Sequence, residues 1–144
     1  MIMAFTGPLE DRILIRERLD GYADCAFRGD AEAWLANWAE DCIWSGTAFE
    51  LRGKEALRAQ WHKLWRAMES MAFFVQVAAI EVDGERAVAR SYCREIVGLK
   101  IGGHRKYVGR YDDELVRQNG QWLFARRNYT VLLDEGAAAS PAHA

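Results

Sequence analysis

Long hydrophobic runs are missing from this chain. The longest uncharged run, residues 70–80, is too short to cross a bilayer as a helix, so no membrane partner is expected. The first residues, Met-Ile-Met-Ala-Phe-Thr-Gly-Pro, lack the basic start and apolar core of a signal peptide. Cysteine is scarce: Cys25, Cys42 and Cys93 are odd in number and widely spaced. That pattern makes neither a disulfide framework nor a zinc site. Reduced thiols and a cytoplasmic location are the simplest expectation. No charge sign dominates, with 19 Lys plus Arg against 21 Asp plus Glu and no like-charge block, which argues against a nucleic-acid partner. Histidine is limited to three scattered positions, without the paired spacing of a metal motif, so no metal is expected. Internal repeats and interdomain linkers are absent too.

What remains is a chain of 144 residues, enough for one domain. A domain of this size buries roughly 68–70% of its unfolded surface. Six Trp, six Phe and five Tyr are available to fill the core. Residues 9–133 read as the domain, residues 1–8 as a frayed start, and residues 134–144 as a disordered tail.

The first half is helical in period. Pro8 suits a first turn, with Glu10 and Asp11 at the positive end of the dipole. Ile15, Leu19, Tyr22, Ala23 and Ala26 then follow one stripe, and Gly29 closes a helix over residues 9–28. Asp30 has the position of an N-cap for a second helix over residues 31–39. Residues 42–49 suggest a short strand and turn. A third helix is expected over residues 54–69, because Leu57, Trp61, Leu64, Trp65 and Met68 share one face.

From Met71 the period changes to two. Residues 73–82 and 86–97 read as strands around Asp83-Gly84, with a turn of type I′ between them. Residues 104–118 and 121–133 flank Asn119-Gly120, the strongest short-range hairpin signal. With a two-residue turn, ideal pairing sets Arg127 opposite Asp112 and Arg126 opposite Asp113. Helices followed by strands indicate an α+β domain.

Several short motifs stand in a fixed order: Tyr22-Ala23-Asp24 with Gly29-Asp30, Glu40-Asp41 leading to Trp44, and Gly53-Lys54-Glu55-Ala56. Then follow the turn of residues 80–84, Gly109 to Glu114, and Gly120 to Arg127. Together they resemble the nuclear transport factor 2-like superfamily, and within it the SnoaL-like branch that includes scytalone dehydratase-like and hexachlorocyclohexane dehydrochlorinase-like proteins. The resemblance implies three N-terminal helices packed in a strongly curved antiparallel sheet, a cystatin-like cone with an apolar pocket. It also implies a homodimer or homotrimer and a hydrophobic small-molecule partner. Members that eliminate water or HCl use an Asp near the end of the first helix and a His on the first long strand. The matching positions here are Phe27 and Phe73. An Arg after the last-strand Trp is matched by Arg127.

Candidate catalytic residues are therefore Asp30, His62, His104 and Arg127. Each has a plainer reading. Asp30 can be only a cap. His62, beside Trp61, can be a packed neutral imidazole or a base near neutrality. His104 can be a surface residue or stand at a pocket mouth, and His143 lies in the tail. Arg126 and Arg127 face opposite sides of one strand, as cross-strand ion pairs or as one buried oxygen-binding group. Candidate substrate-binding residues are Tyr22, Phe27, Trp44, Trp61, Trp65, Phe73, Tyr92, Tyr107 and Tyr111; each can equally be core. The expected function is a cofactor-free lyase (dehydratase) or isomerase acting on an aromatic or polycyclic substrate. The alternative is a non-catalytic ligand-binding or assembly domain.

Overall fold

A computed structural model describes Ile2 and residues 4–135. Helix α1, Leu9–Arg28, starts where Pro8 (φ −57°) leaves extended backbone and ends at Gly29 (φ 63°). There the Gly29 and Asp30 N–H groups donate to Ala26 and Cys25 carbonyls, a closure that needs the left-handed conformation glycine tolerates. Ile15, Leu19, Tyr22, Ala23 and Ala26 are its buried stripe.

The Asp30 side chain caps helix α2, Ala31–Leu35, by accepting from the Ala33 N–H at 3.0 Å. This helix is shorter than the 31–39 its tryptophans suggest. The Asn37 amide donates to the Ala33 and Trp34 carbonyls and closes the turn. Trp38 then opens strand β2, Trp38–Gly46. Helix α3, Lys54–Trp65, stops before the expected residue 69, because strand β4, Met68–Asp83, already pairs at Met68 with Leu99. Apolar spacing of four fits both ends, and ladder pairing decides.

The remaining strands are β1 (Phe5–Thr6), β3 (Phe49–Arg52), β5 (Arg86–Leu99), β6 (His104–Gln118) and β7 (Gln121–Asp134). Phe5–Thr6 therefore lies in the sheet, parallel to Ile80 and Glu81, inside the segment expected to fray. The expected tail lies almost wholly outside the described residues. The sheet runs β1-β4-β5-β6-β7-β2-β3 and is not closed. Its long neighbours are antiparallel, but β2 joins β7 in parallel. The α+β architecture is as the sequence indicates, with three helices on the concave side of a curved sheet.

Two turns differ in kind. Asn119 (φ 52°) and Gly120 (φ 76°) both have positive φ, as a type I′ turn requires. Between Asp83 and Arg86 only Gly84 does, so that turn is not type I′.

One bulge changes the chemistry of the face. Leu115 pairs with Phe124, but Glu114 pairs with Arg126 and Asp113 with Arg127. Ala125 is the extra residue. It shifts the pairing by one from the ideal register, and puts Arg127 opposite Asp113 rather than Asp112. A bulge inserts one residue and bends its strand, a device used where sheets curve. No helix among the described residues is long and apolar enough to cross a membrane.

Candidate functional site

Inward-facing side chains of β4 to β7 and the stripes of the helices do not meet everywhere. Between them lies a cavity of about 390 Å³. Tyr22 and Ala26 of α1, Trp34 of α2, and Trp61 and Trp65 of α3 form the helical wall. The strand wall is Phe73, Glu95, Val97, Tyr107, Tyr111 and Tyr129, with Trp44 and Phe49 closing one side. The exposed members of the lining, Phe49, Leu64, Ala67 and Arg105, mark the opening. The rings brace one another. Trp34 and Trp61 lie 4.7 Å apart, Tyr111 and Tyr129 4.9 Å, and Tyr22 and Phe73 5.8 Å. An apolar chamber with few polar groups is the usual form of a small-molecule site.

Glu95 is the one carboxyl in that lining. It stands on β5, opposite Phe73 of β4 and Tyr107 of β6. Directly opposed residues share a face, so all three point inward. The Tyr129 hydroxyl donates to Glu95 Oε2 across a long 3.4 Å. Burial pushes the Glu95 carboxyl up to about 7, against the smaller downward pulls of Tyr129 and Arg127. Desolvation disfavours the charged form of an acid, and at this value both forms are present near neutral pH.

Gly109 makes room for this arrangement. A Cβ there would fall 2.1 Å from Tyr129 Cε2, so only a bare backbone lets the phenol lie across β6 toward Glu95. Cys93, two residues before Glu95, is buried, and burial pushes its thiol up to about 12. It is not a thiolate nucleophile.

Behind the Tyr22 and Tyr111 rings sits Arg127, fully buried. Its Nε donates to Asp113 Oδ1 at 2.8 Å and its Nη2 to Oδ2 at 3.0 Å, and both side chains are 0% exposed. The guanidinium carbon lies 3.8 Å from the Tyr111 ring centre, 4.2 Å from Phe124 and 4.4 Å from Tyr22. Among the described residues the buried Nη1 has no hydrogen-bond acceptor, and it belongs to a guanidinium that these three rings flank. Burial by itself would lower Arg127, but Asp113 outweighs it and holds the guanidinium charged. Arg127 does not line the cavity; it is the floor under two of its walls.

The residues singled out from the sequence divide cleanly. Tyr22, Trp44, Trp61, Trp65, Phe73, Tyr107 and Tyr111 line the chamber together. Phe27 and Tyr92 do not. Phe27 is 45% exposed and packs edge-on against Phe74 at 5.3 Å, so the α1 wall is made by Tyr22 and Ala26 one turn apart. Tyr92 is out of phase with inward Cys93 and lies exposed. Asp30 is occupied as the α2 cap and by Arg28 at 3.0 Å. The cap bond first, then Arg28, holds its carboxyl below the usual range. His62 and His104 are exposed on α3 and at the start of β6 and are not part of the lining. His143 lies outside the described residues. Arg126 points away from Arg127, 3.7 Å from Glu50.

Glu95, Gln60 and Arg105 were not anticipated. A signal for Glu95 was available: Cys93, Glu95 and Val97 alternate in phase, an acid set between two apolar inward positions. Among the described residues no three His, Cys, Asp or Glu side chains converge to hold a metal ion.

A family model described as the SnoaL-like domain matches residues 7–128. The chain belongs to the SnoaL-like domain family. No curated protein sequence matches it as a relative. Solved structures agree on the fold of this SnoaL-like domain. A scytalone dehydratase-like protein from Novosphingobium aromaticivorans superposes with a TM-score of 0.84 at 20% identity, covering 92% of this chain and 91% of that one. A hexachlorocyclohexane dehydrochlorinase (LinA, type 2) gives 0.79 at 16% identity, covering 92% and 95%. A cystatin-like fold protein from Nostoc punctiforme gives 0.75 at 21% identity, covering 97% and 99%. In this SnoaL-like domain the wall position on the first long strand holds Phe73, and Glu95 stands directly across the ladder from it.

Proposed function

We propose that this SnoaL-like domain is a cofactor-free lyase of the dehydratase type, or an isomerase, with Glu95 as its proton-transfer group. The substrate is a hydrophobic aromatic or polycyclic small molecule that fills the apolar chamber. The observation that carries the reading is the one carboxyl of the cavity lining, set among mostly aromatic and aliphatic walls, where desolvation raises it to about 7. General acid–base catalysis works best when the group's pKa lies near the working pH. Perturbed carboxyls in clefts are candidate functional groups for that reason.

The ionised Glu95 takes a proton from a carbon next to a substrate carbonyl. The C–H electron pair becomes an enolate, and the phenols of Tyr107, Tyr111 and Tyr129 are the donors at hand for its oxygen. In dehydration the enolate reforms the carbonyl, a C=C bond forms, and the β-hydroxyl leaves as water after protonation by the now neutral Glu95. In isomerisation Glu95 returns the proton to a different carbon. Both outcomes balance without an added oxidant or reductant. The structural likeness to a scytalone dehydratase-like protein and to a dehydrochlorinase supports the elimination class.

The alternative is a ligand-binding or assembly domain without turnover. Phe73 favours it, because a phenyl ring cannot carry a proton. Incubation with a panel of aromatic β-hydroxy ketones separates the two. Turnover that disappears in Glu95→Gln supports the enzyme. Saturable binding with no product at any pH between about 6 and 9 would leave only the binding domain.

A further inference from the structure

The chamber lining holds one basic side chain, Arg105. Its state is unlike that of four other arginines on the same sheet. Arg94, Arg110, Arg126 and Arg127 each hold a carboxylate. Among the described residues Arg105 has no ion-pair or hydrogen-bond partner. Its guanidinium is exposed and lies 5.8 Å from the centre of the Tyr107 ring.

The order of groups from the opening inward follows from the strand. Arg105 and Tyr107 are two residues apart on β6 and share its inner face. That spacing is about 7 Å at roughly 3.4 Å per residue. Tyr107 stands opposite Glu95. A ligand entering the chamber therefore passes a free guanidinium one inward-facing position before it reaches the level that Tyr107 and Glu95 share.

We infer that Arg105 is an anion anchor at the chamber mouth, and that the ligand is an aromatic carboxylate held with its acid group outward and its ring among the tryptophans. Three physical constraints select this orientation. An aromatic body has the large apolar area that the inner walls remove from water. A carboxylate pushed inward would lose its hydration and face Glu95, a like charge. At the mouth it keeps water on one side and gains a forked, charge-assisted contact from the guanidinium. Arg105 thus orients the molecule and delivers the end remote from the acid to Glu95. The inference uses the chamber as a ligand site, as the function above does, but it does not require that Glu95 catalyse anything.

Binding can be read without turnover, because Trp34, Trp44, Trp61 and Trp65 line the site and report occupancy by fluorescence quenching. The probes are 2-naphthoate and its neutral isostere 2-naphthamide, titrated into the wild-type chain, Arg105→Gln and Arg105→Lys. The wild type should bind the acid about five- to tenfold more tightly than the amide, the size expected of one partly exposed charge-assisted contact. Arg105→Gln should abolish that preference while leaving amide affinity within about twofold, and Arg105→Lys should keep part of it. An acid-to-amide ratio unchanged by Arg105→Gln overturns the anchor. So does a wild type that binds the two equally, or binds neither. Acid-selective binding with no turnover of any substrate would instead sink the lyase reading and leave the anchor standing.

Discussion

Replacing Glu95 by Gln should do two things of opposite sign. It should remove turnover, and it should make the protein more stable at alkaline pH. The second effect follows from linkage. The folded-state pKa of Glu95 lies at about 7, above its ordinary value of 4.5. The fold therefore favours the neutral carboxyl. Its contribution is fully present below about pH 4.5 and is lost as pH rises through about 7. A shift of this size corresponds to about 3 kcal/mol at alkaline pH, since one pKa unit is about 1.4 kcal/mol. Between about pH 5.5 and pH 8.5 the wild type should lose about 2 kcal/mol through this group alone.

A glutamine side chain at this position would keep the shape and polarity but carry no proton equilibrium. Urea unfolding of both proteins at the two pH values isolates the term, because every other titrating group cancels in the difference. The stability gap should widen in favour of Glu95→Gln by about 2 kcal/mol at the higher pH. On the activity side, the wild-type rate should rise through about pH 7, as the base form appears. Loss of the group should cost about 10²- to 10⁴-fold. A variant whose stability follows the wild type at both pH values would mean that Glu95 is not desolvated in solution. The proton-transfer assignment would then have no physical basis.

Other consequences are smaller in scope. Tyr129→Phe removes a donor that favours the Glu95 carboxylate, so the pH–rate midpoint should move upward; a downward move would contradict the contact. Gly109→Ala should destabilise by about 1–3 kcal/mol through overpacking against the Tyr129 ring, and an unchanged melting temperature would show that the ring does not lie there. Asp113→Ala strands the buried Arg127 charge and should cost about 3–5 kcal/mol in urea unfolding. His62→Ala and His104→Ala should leave turnover within about twofold, and Asp30→Ala should cost about 1 kcal/mol of stability with turnover kept. A large rate loss in either histidine variant would return the proton to an imidazole.

Much of the fold was legible because its signals are local. Pro8, Gly29 and Asn119-Gly120 mark ends and turns whose dihedral needs few residue types satisfy. The misread boundaries lie where two patterns coincide. Trp34 and Trp38 stand at helical spacing, yet Trp38 belongs to a strand paired in parallel with β7, a contact more than eighty residues away that no local pattern announces. Met68 continues the stripe of α3 in the same way. The Ala125 bulge is invisible in sequence, because any residue can be the extra one, so the partner of Arg127 was displaced by one.

At the site, helical and strand parity sorted more than residue type did. Tyr22 and Tyr111 fall in phase with buried neighbours and line the chamber; Tyr92 alternates with Cys93 and cannot. His62 lies one residue, about 100°, beyond Trp61 on α3 and so turns to solvent. Glu95 adjoins Arg94 in the sequence, which by itself looks like half of a surface ion pair. Arg94 in fact pairs with Glu135 on the other face.

The ladder also says how a chamber can lack the expected imidazole and still hold a base. In an antiparallel pair, opposed residues on neighbouring strands lie only about 4.5–5.5 Å apart at Cβ and point the same way. A proton-accepting group can therefore move from the Phe73 position to the Glu95 position without leaving the wall. The exchange changes its support. A histidine base needs a carboxylate to steady its cation, and Phe27 and Phe73 provide neither. A carboxyl base needs the reverse: apolar neighbours that raise its pKa toward neutrality, and a hydroxyl that limits the rise. Phe73 opposite Glu95 supplies the first and Tyr129, seated over Gly109, the second. The phenyl ring that removes one kind of acid–base chemistry from this wall is thus part of what makes the other kind workable.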